Sequence, residues 1–185
     1  MKRLSVVFFV LMLAGCFFST KNSTFYLLES QNALEPVNSK QLKIAVQDII
    51  IPDYLQKPQI VLQAQDSPEL KISEFNRWGS DLQGMIQNTL IEDMQSLMPK
   101  AEVKPLMYGQ NTNYIIKVNM EKLSGSLKQN AVLKGTFQVL SSKGNVVAEQ
   151  NFDLSTPAGK TYGSYVTAQS NLIARLAKEI CAKIK

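Results

Sequence analysis

Two cysteines and no histidine set the chemical repertoire of this 185-residue chain. Without imidazole, Ser-His and Cys-His nucleophilic schemes and most zinc sites are excluded. Of the two thiols, Cys16 is the one whose surroundings point to a reaction. It follows Leu13-Ala14-Gly15, and small residues ahead of a cysteine let the chain enter a processing peptidase in extended form while the sulfur is open to acylation. Cys181 lies beside Ile180 and Ile184 on the apolar face of a C-terminal helical pattern, where a buried, inert thiol is expected rather than an intermolecular disulfide. Glu92 and Asp93 form the one adjacent carboxylate pair considered for acid-base work. Neighbouring residues of a helix diverge, so a solvated face is expected for both. Ser124 and Ser126 have only Lys122 and Lys128 nearby in sequence, and the glycines make no phosphate-cradling pattern. No catalytic residue, cofactor or metal site is therefore expected.

The elements around Cys16 explain its chemistry. Lys2 and Arg3 precede an apolar run from Leu4 to Leu13, followed by Ala14 and Gly15. This is the three-part layout of a secretory signal, and the run is about half the roughly twenty residues a membrane-spanning helix needs. The junction resembles the lipobox of bacterial lipoproteins, in which the cysteine is lipidated and becomes the mature N-terminus. Residues 1–15 are thus expected to be a cleaved signal peptide. Residues 16–23 would form a lipidated Ser, Thr and Asn tether, and residues 24–185 one folded domain. Phe17 and Phe18, with no aspartate after the cysteine, favour sorting to the outer membrane with the domain facing the periplasm. Two or more acyl chains, palmitate among them, anchor stably where one does not.

Removing residues 1–15 deletes Lys2 and Arg3 and no acid, which lowers the net charge from +5 to +3. The basic residues are scattered with no aromatic-and-basic stripe, which sets nucleic acid aside as a partner. A chain of this length suits a single hydrophobic core.

Within the domain, Phe25 to Leu28, Leu42 to Ile50 and Gln59 to Ala64 read as strands. Phe75, Trp78, Leu82, Met85, Ile86, Leu90, Met94 and Leu97 then recur every three or four residues, which predicts an amphipathic helix from Glu74 to Met98, capped by Ser73 and ended by Pro99. Val103 to Leu106, Tyr114 to Leu123, Val132 to Ser141 and Val146 to Leu154 follow as strands. Ser142-Lys143-Gly144-Asn145 turns the last two into an antiparallel meander. A second helix is expected from Tyr162 to Lys183, with Tyr165, Gln169, Leu172, Ile173, Leu176 and Ile180 inward. The fold class is α+β: an antiparallel sheet with two amphipathic helices packed on it.

Two stretches stand apart from the regular pattern. Ile51-Pro52-Asp53-Tyr54-Leu55-Gln56-Lys57-Pro58-Gln59-Ile60-Val61 places two prolines and an exposed-looking Tyr54-Leu55 pair between apolar strands. It reads equally as a stiffened hairpin loop or as a recognition loop. Trp78, the only tryptophan, lies in Arg77-Trp78-Gly79-Ser80-Asp81-Leu82 and is expected to anchor the core of the first helix. Pro52-Asp53-Tyr54-Leu55 with Pro58-Gln59-Ile60-Val61, the Arg77-Trp78 pair, Tyr26-Leu27-Leu28 and the signal together resemble the PqiC family, auxiliary lipoproteins of ABC-type and MCE-type lipid-transport systems. The family often has alanine, glutamate and proline where this chain has Gly79, Ser80 and Asp81, so the start of the helix is expected to differ locally. The resemblance implies a non-enzymatic outer-membrane component that supports membrane integrity. Its implied partners are an MCE-domain transport protein and further copies of itself in a ring. Pro52, Asp53, Tyr54, Leu55, Pro58 and Gln59 are the candidate partner-binding residues. Two other readings are a lipid carrier enclosing acyl chains among Met85, Met94, Met98 and Met120, and an activator of a cell-wall enzyme. An ordinary core is the favoured role for the methionines.

Overall fold

The computed structural model describes residues 21–31, 34–37, 39–64, 67–106 and 111–184. Cys16, the signal segment and the tether as far as Thr20 lie outside the described residues. Among the described residues eight strands and two helices follow one another as β1 (Thr24–Tyr26), β2 (Lys43–Val46), β3 (Gln59–Leu62), β4 (Lys71–Trp78), α1 (Leu82–Leu97), β5 (Glu102–Pro105), β6 (Tyr114–Gly125), β7 (Asn130–Ser141), β8 (Val146–Pro157) and α2 (Tyr162–Cys181). A five-stranded sheet has the order β5-β2-β6-β7-β8, and a three-stranded sheet the order β1-β4-β3. Among the described residues no helix is long and apolar enough to cross a membrane.

The meander β6-β7-β8 forms as its alternation predicts. Ile116, Val118 and Met120 are buried while Lys117, Asn119 and Glu121 are exposed. Its outer face is held by polar cross-strand pairs: Lys134 with Asp153 at 2.7 Å, Thr136 donating to Asn151 at 2.8 Å, and Gln138 donating to Glu149 at 2.8 Å. Gly144, at φ 81°, makes the turn between β7 and β8 in a backbone conformation that side chains disfavour. Gly135 has a different reason. A Cβ there would stand 2.1 Å from the Asn119 carbonyl oxygen and 2.9 Å from the Phe152 ring, so the strands approach only because that side chain is missing.

Three expectations are corrected. The sheets are mixed rather than antiparallel: β2 runs parallel to both β5 and β6, and β1 runs parallel to β4. Alternation reports which face is buried and not which way a strand runs. The insertion of α1 between β4 and β5 lets the chain return in the same direction, as parallel crossovers require. Ile44, Ala45 and Val46 are all buried, the signature of an interior strand covered on both faces. The second correction concerns the first helix, which starts at Leu82 and not at Glu74. Residues 71–78 are a strand paired with β1 and β3, and Asp81 is the cap, accepting from the Gly84 amide at 2.8 Å. The spacing of Phe75 and Trp78 imitates a helix because β4 is irregular, its register to β3 shifting between Gln59 and Val61. Ser73 accepts from the Asn76 backbone amide at 3.0 Å inside that irregularity instead of capping a helix.

The third correction is Asp93. It is 0% exposed, not solvated like Glu92 beside it. Its Oδ1 accepts from the Gln31 amide at 2.7 Å, and its Oδ2 has no partner. Burial raises the carboxyl from its ordinary 3.8 to about 6, with the nearby Glu92 adding in the same direction and the Gln31 amide opposing. The Glu29 amide donates to Ser170 Oγ on α2 at 3.1 Å, and the Val37 amide to the Leu97 carbonyl at the end of α1 at 2.9 Å. The segment after β1 is therefore tied across both helices.

The helices pack on each other, with α2 also lying on β7 and β8 and α1 on β5. Helix α2 opens with a capping box between Thr161 and Ser164 and buries Tyr165, Gln169, Leu172, Ile173, Leu176 and Ile180, the face its periodicity assigns. Met85, Met94, Met98 and Met120 are each less than a tenth exposed and belong to the same core. Cys181 is buried in it, its thiol pushed up to about 12 by burial, so it stays protonated and inert.

Candidate partner-binding cleft

The proline loop is built from its backbone. Pro52 enters it at φ −58°, and Asp53–Leu55 form a single 3-10 turn in which the Leu55 amide donates to the Pro52 carbonyl at 2.9 Å and the Gln56 amide to the Asp53 carbonyl at 3.0 Å. In such a turn residues three apart eclipse. Asp53 and Gln56 accordingly stand together in solvent, joined by a hydrogen bond from Gln56 Nε2 to Asp53 Oδ1 at 3.2 Å. Tyr54 and Leu55 turn the other way. Leu55 is 3% exposed, and Tyr54 is half-buried with its hydroxyl hydrogen-bonded to the Leu123 backbone; burial raises the phenol above its ordinary value. The Tyr54-Leu55 pair, expected at the surface, is instead drawn inward by two separate contacts, Leu55 into the core and the Tyr54 ring against it beside Leu123.

Beyond the turn, the Pro58 carbonyl accepts from the Trp78 amide at 2.7 Å, and the Tyr26 carbonyl accepts from the Gly79 amide at 2.8 Å. These bonds bring the two distinctive sequence stretches to one place. Leu55 to Pro58 on one side and Trp78 to Leu82 on the other line a cleft of about 300 Å³. Trp78 is 5% exposed and packs in the core, as expected, although at the end of β4 rather than inside a helix. Leu55, Trp78 and Leu82 make an apolar floor. Gln56, Lys57, Ser80 and Asp81 supply a polar rim of both charges. The volume is at the low end of the roughly 300–1,000 Å³ typical of ligand sites, a size for one or two protein side chains.

Of the six candidate residues, Leu55 and Pro58 line this cleft. Pro52 and Asp53 form the outer shoulder of the turn, Tyr54 packs toward Leu123, and Gln59 pairs with Arg77 across β3 and β4. Sequence reasoning missed Ser80, Asp81 and Leu82 as part of the same site. Their signal was present in Gly79-Ser80-Asp81, a strand exit followed by a helix cap, which the helical spacing of Phe75 and Trp78 concealed. Among the described residues no group of three or more His, Cys, Asp or Glu converges to hold a metal ion.

Residues 26–181 match the model of the ABC-type transport auxiliary lipoprotein component, and the chain belongs to that family. It is a transport-auxiliary lipoprotein. Within the family it is similar to the intermembrane transport lipoprotein PqiC of Escherichia coli (strain K12), with 26% identity over 151 residues covering 80% of this chain and 78% of that protein; the PqiC of Shigella flexneri matches equally. The fold is shared with a crystal structure of an uncharacterized protein, at TM-score 0.76 and 21% identity over 89% of this chain and all of that one. It is also shared with protein XCC0632 from Xanthomonas campestris, at TM-score 0.72 and 15% identity over 86% and 93% of the two chains.

Proposed function

We propose that this chain is a non-enzymatic docking subunit of an envelope lipid-transport system. Its signal of residues 1–15 is removed, Cys16 is acylated, and the domain is held on the periplasmic face of the outer membrane. There it receives an MCE-domain component and assembles with further copies of itself. The observation that carries this reading is the convergence of the Pro52 to Val61 loop and the Trp78 to Leu82 junction on one cleft, joined by the Pro58 to Trp78 backbone bond. Both walls rest on strands of one sheet, the rigid support a recognition loop needs. The sequence match to PqiC, an intermembrane transport lipoprotein, supports the setting.

The carrier alternative has little room in the core. The four methionines it would use are packed among other side chains at less than a tenth exposure. Ser80→Trp fills the cleft from an exposed position and replaces no core side chain. The expected result is loss of the MCE-domain protein from material copurified with the acylated lipoprotein, with the melting temperature unchanged. Undiminished copurification would refute the cleft as the docking site.

A further inference from the structure

The β1–β4 strand pair and the residues that flank it carry apolar side chains that the described residues leave exposed. Tyr26 packs toward the core, which turns its neighbours Phe25 and Leu27 outward, and they are 63% and 57% exposed. On the adjacent β4, Ile72 is 54% exposed, with Leu70 just before it at 41%. Single exposed apolar residues are ordinary, but four spread along one strand pair, Phe25 and Ile72 within it and Leu27 and Leu70 flanking it, mark a surface that something covers. Strands β1 and β4 are parallel, with Thr24 opposite Asn76 and Tyr26 opposite Trp78. The chain therefore enters β1 from the N-terminal end of β4, where Leu70 and Ile72 lie. Lys21, the first described residue, holds its ammonium 5.6 Å from the centre of the Phe75 ring on β4.

Only four residues lie between Cys16 and Lys21, so five residue steps join them. Fully extended at about 3.3–3.6 Å per residue, they reach no more than roughly 18 Å. An acyl group on Cys16 thus keeps this strand pair within one short tether of the bilayer. We infer that the β1–β4 face is a membrane-contact surface, with Phe25, Leu27, Leu70 and Ile72 seated in the interfacial layer of the leaflet that carries the anchor. The inference rests on acylation of Cys16. Lys21 and Lys71 are balanced by Glu69 and Glu74, so the contact is one of apolar insertion rather than attraction to anionic lipid. It makes the lipid attachment an oriented one, because a second point of contact fixes which face of the domain looks at the membrane.

The test uses the processed, acylated full chain in phospholipid vesicles containing brominated acyl chains. Phe25→Cys, Ile72→Cys and Val146→Cys variants are each labelled with an environment-sensitive fluorophore. Val146, 56% exposed on β8 of the other sheet, is the control. Cys181 stays unlabelled because it is buried and its thiol is protonated. Labels at 25 and 72 are expected to shift to the blue and to be quenched about twofold by the bromine, as for groups within the outer ~5–10 Å of the acyl boundary, while the label at 146 is not. Flotation with the vesicles but no quenching at either 25 or 72 overturns the inference and leaves the anchor standing. A blue shift without quenching means that a second protein surface covers the face, and likewise overturns it. Failure to float at all overturns the anchor and this inference together.

Discussion

Asp93→Asn isolates the energetic consequence of burying a carboxylate under the segment that follows β1. The wild-type carboxyl is raised from 3.8 to about 6. At pH 7.5 the folded state therefore carries an ionised group that it would bind more stably as the acid, a destabilisation of about 3 kcal/mol at 1.36 kcal/mol per unit. Because the folded value is raised, the penalty is absent below about pH 4 and grows as pH rises through 6. Between pH 4.5 and 7.5 the wild type loses about 2 kcal/mol through this one group. Asparagine still accepts from the Gln31 amide but leaves its own amide donors where Oδ2 now lacks a partner, at a cost of about 1–2 kcal/mol independent of pH. The variant is thus expected to gain about 1–2 kcal/mol over the wild type at pH 7.5 and to lose that advantage by pH 4.5. Urea unfolding at 25 °C across this range measures it, since the difference between the two proteins cancels the titrating groups that are not coupled to Asp93 and leaves its own term with the smaller one from Glu92. Curves that stay within about 0.5 kcal/mol of a constant separation from pH 4.5 to 7.5 would refute the assignment.

Other consequences follow from single contacts. Gly135→Ala should destabilise by several kcal/mol or prevent folding, read by thermal melting, because its methyl would meet the Asn119 carbonyl and the Phe152 ring. Asp81→Ala should cost about 1 kcal/mol, with Asp81→Asn recovering most of it, since Asp81 and not Ser73 caps the first helix. Alkylation of Cys181 in the unlipidated chain should be negligible while the protein is folded and fast in denaturant, followed by mass spectrometry.

What was legible in the sequence was whatever rests on local periodicity. Tyr114 to Met120 alternate because one sheet face is buried, and Tyr165 to Ile180 recur at helical spacing because one stripe is buried. Strand direction leaves no such mark, so the parallel pairing of β2 with β5 and β6 was hidden. Phe75 and Trp78 were misread because three-residue spacing across an irregular strand is indistinguishable from helix until its partners β1 and β3 are known. Asp93 stands at helical spacing from Leu90 and Leu97 on the buried stripe of α1, so periodicity pointed inward while charge pointed outward, and the distant Gln31 amide that meets it leaves no mark in the sequence. The site was half legible. The loop drew attention through its prolines, but a single 3-10 turn decided that Gln56 rather than Tyr54 would face outward, and the backbone bond from Trp78 to Pro58 supplied the opposite wall.

The central claim, that this cleft docks a transport component, is tested most directly by site-specific photo-crosslinking in intact cells from residue 80, with residue 151 on the solvated outer face of β8 as the control. A covalent adduct between position 80 and an MCE-domain protein is expected, and none from position 151. Adducts of equal yield from both positions, or from 151 alone, would contradict it.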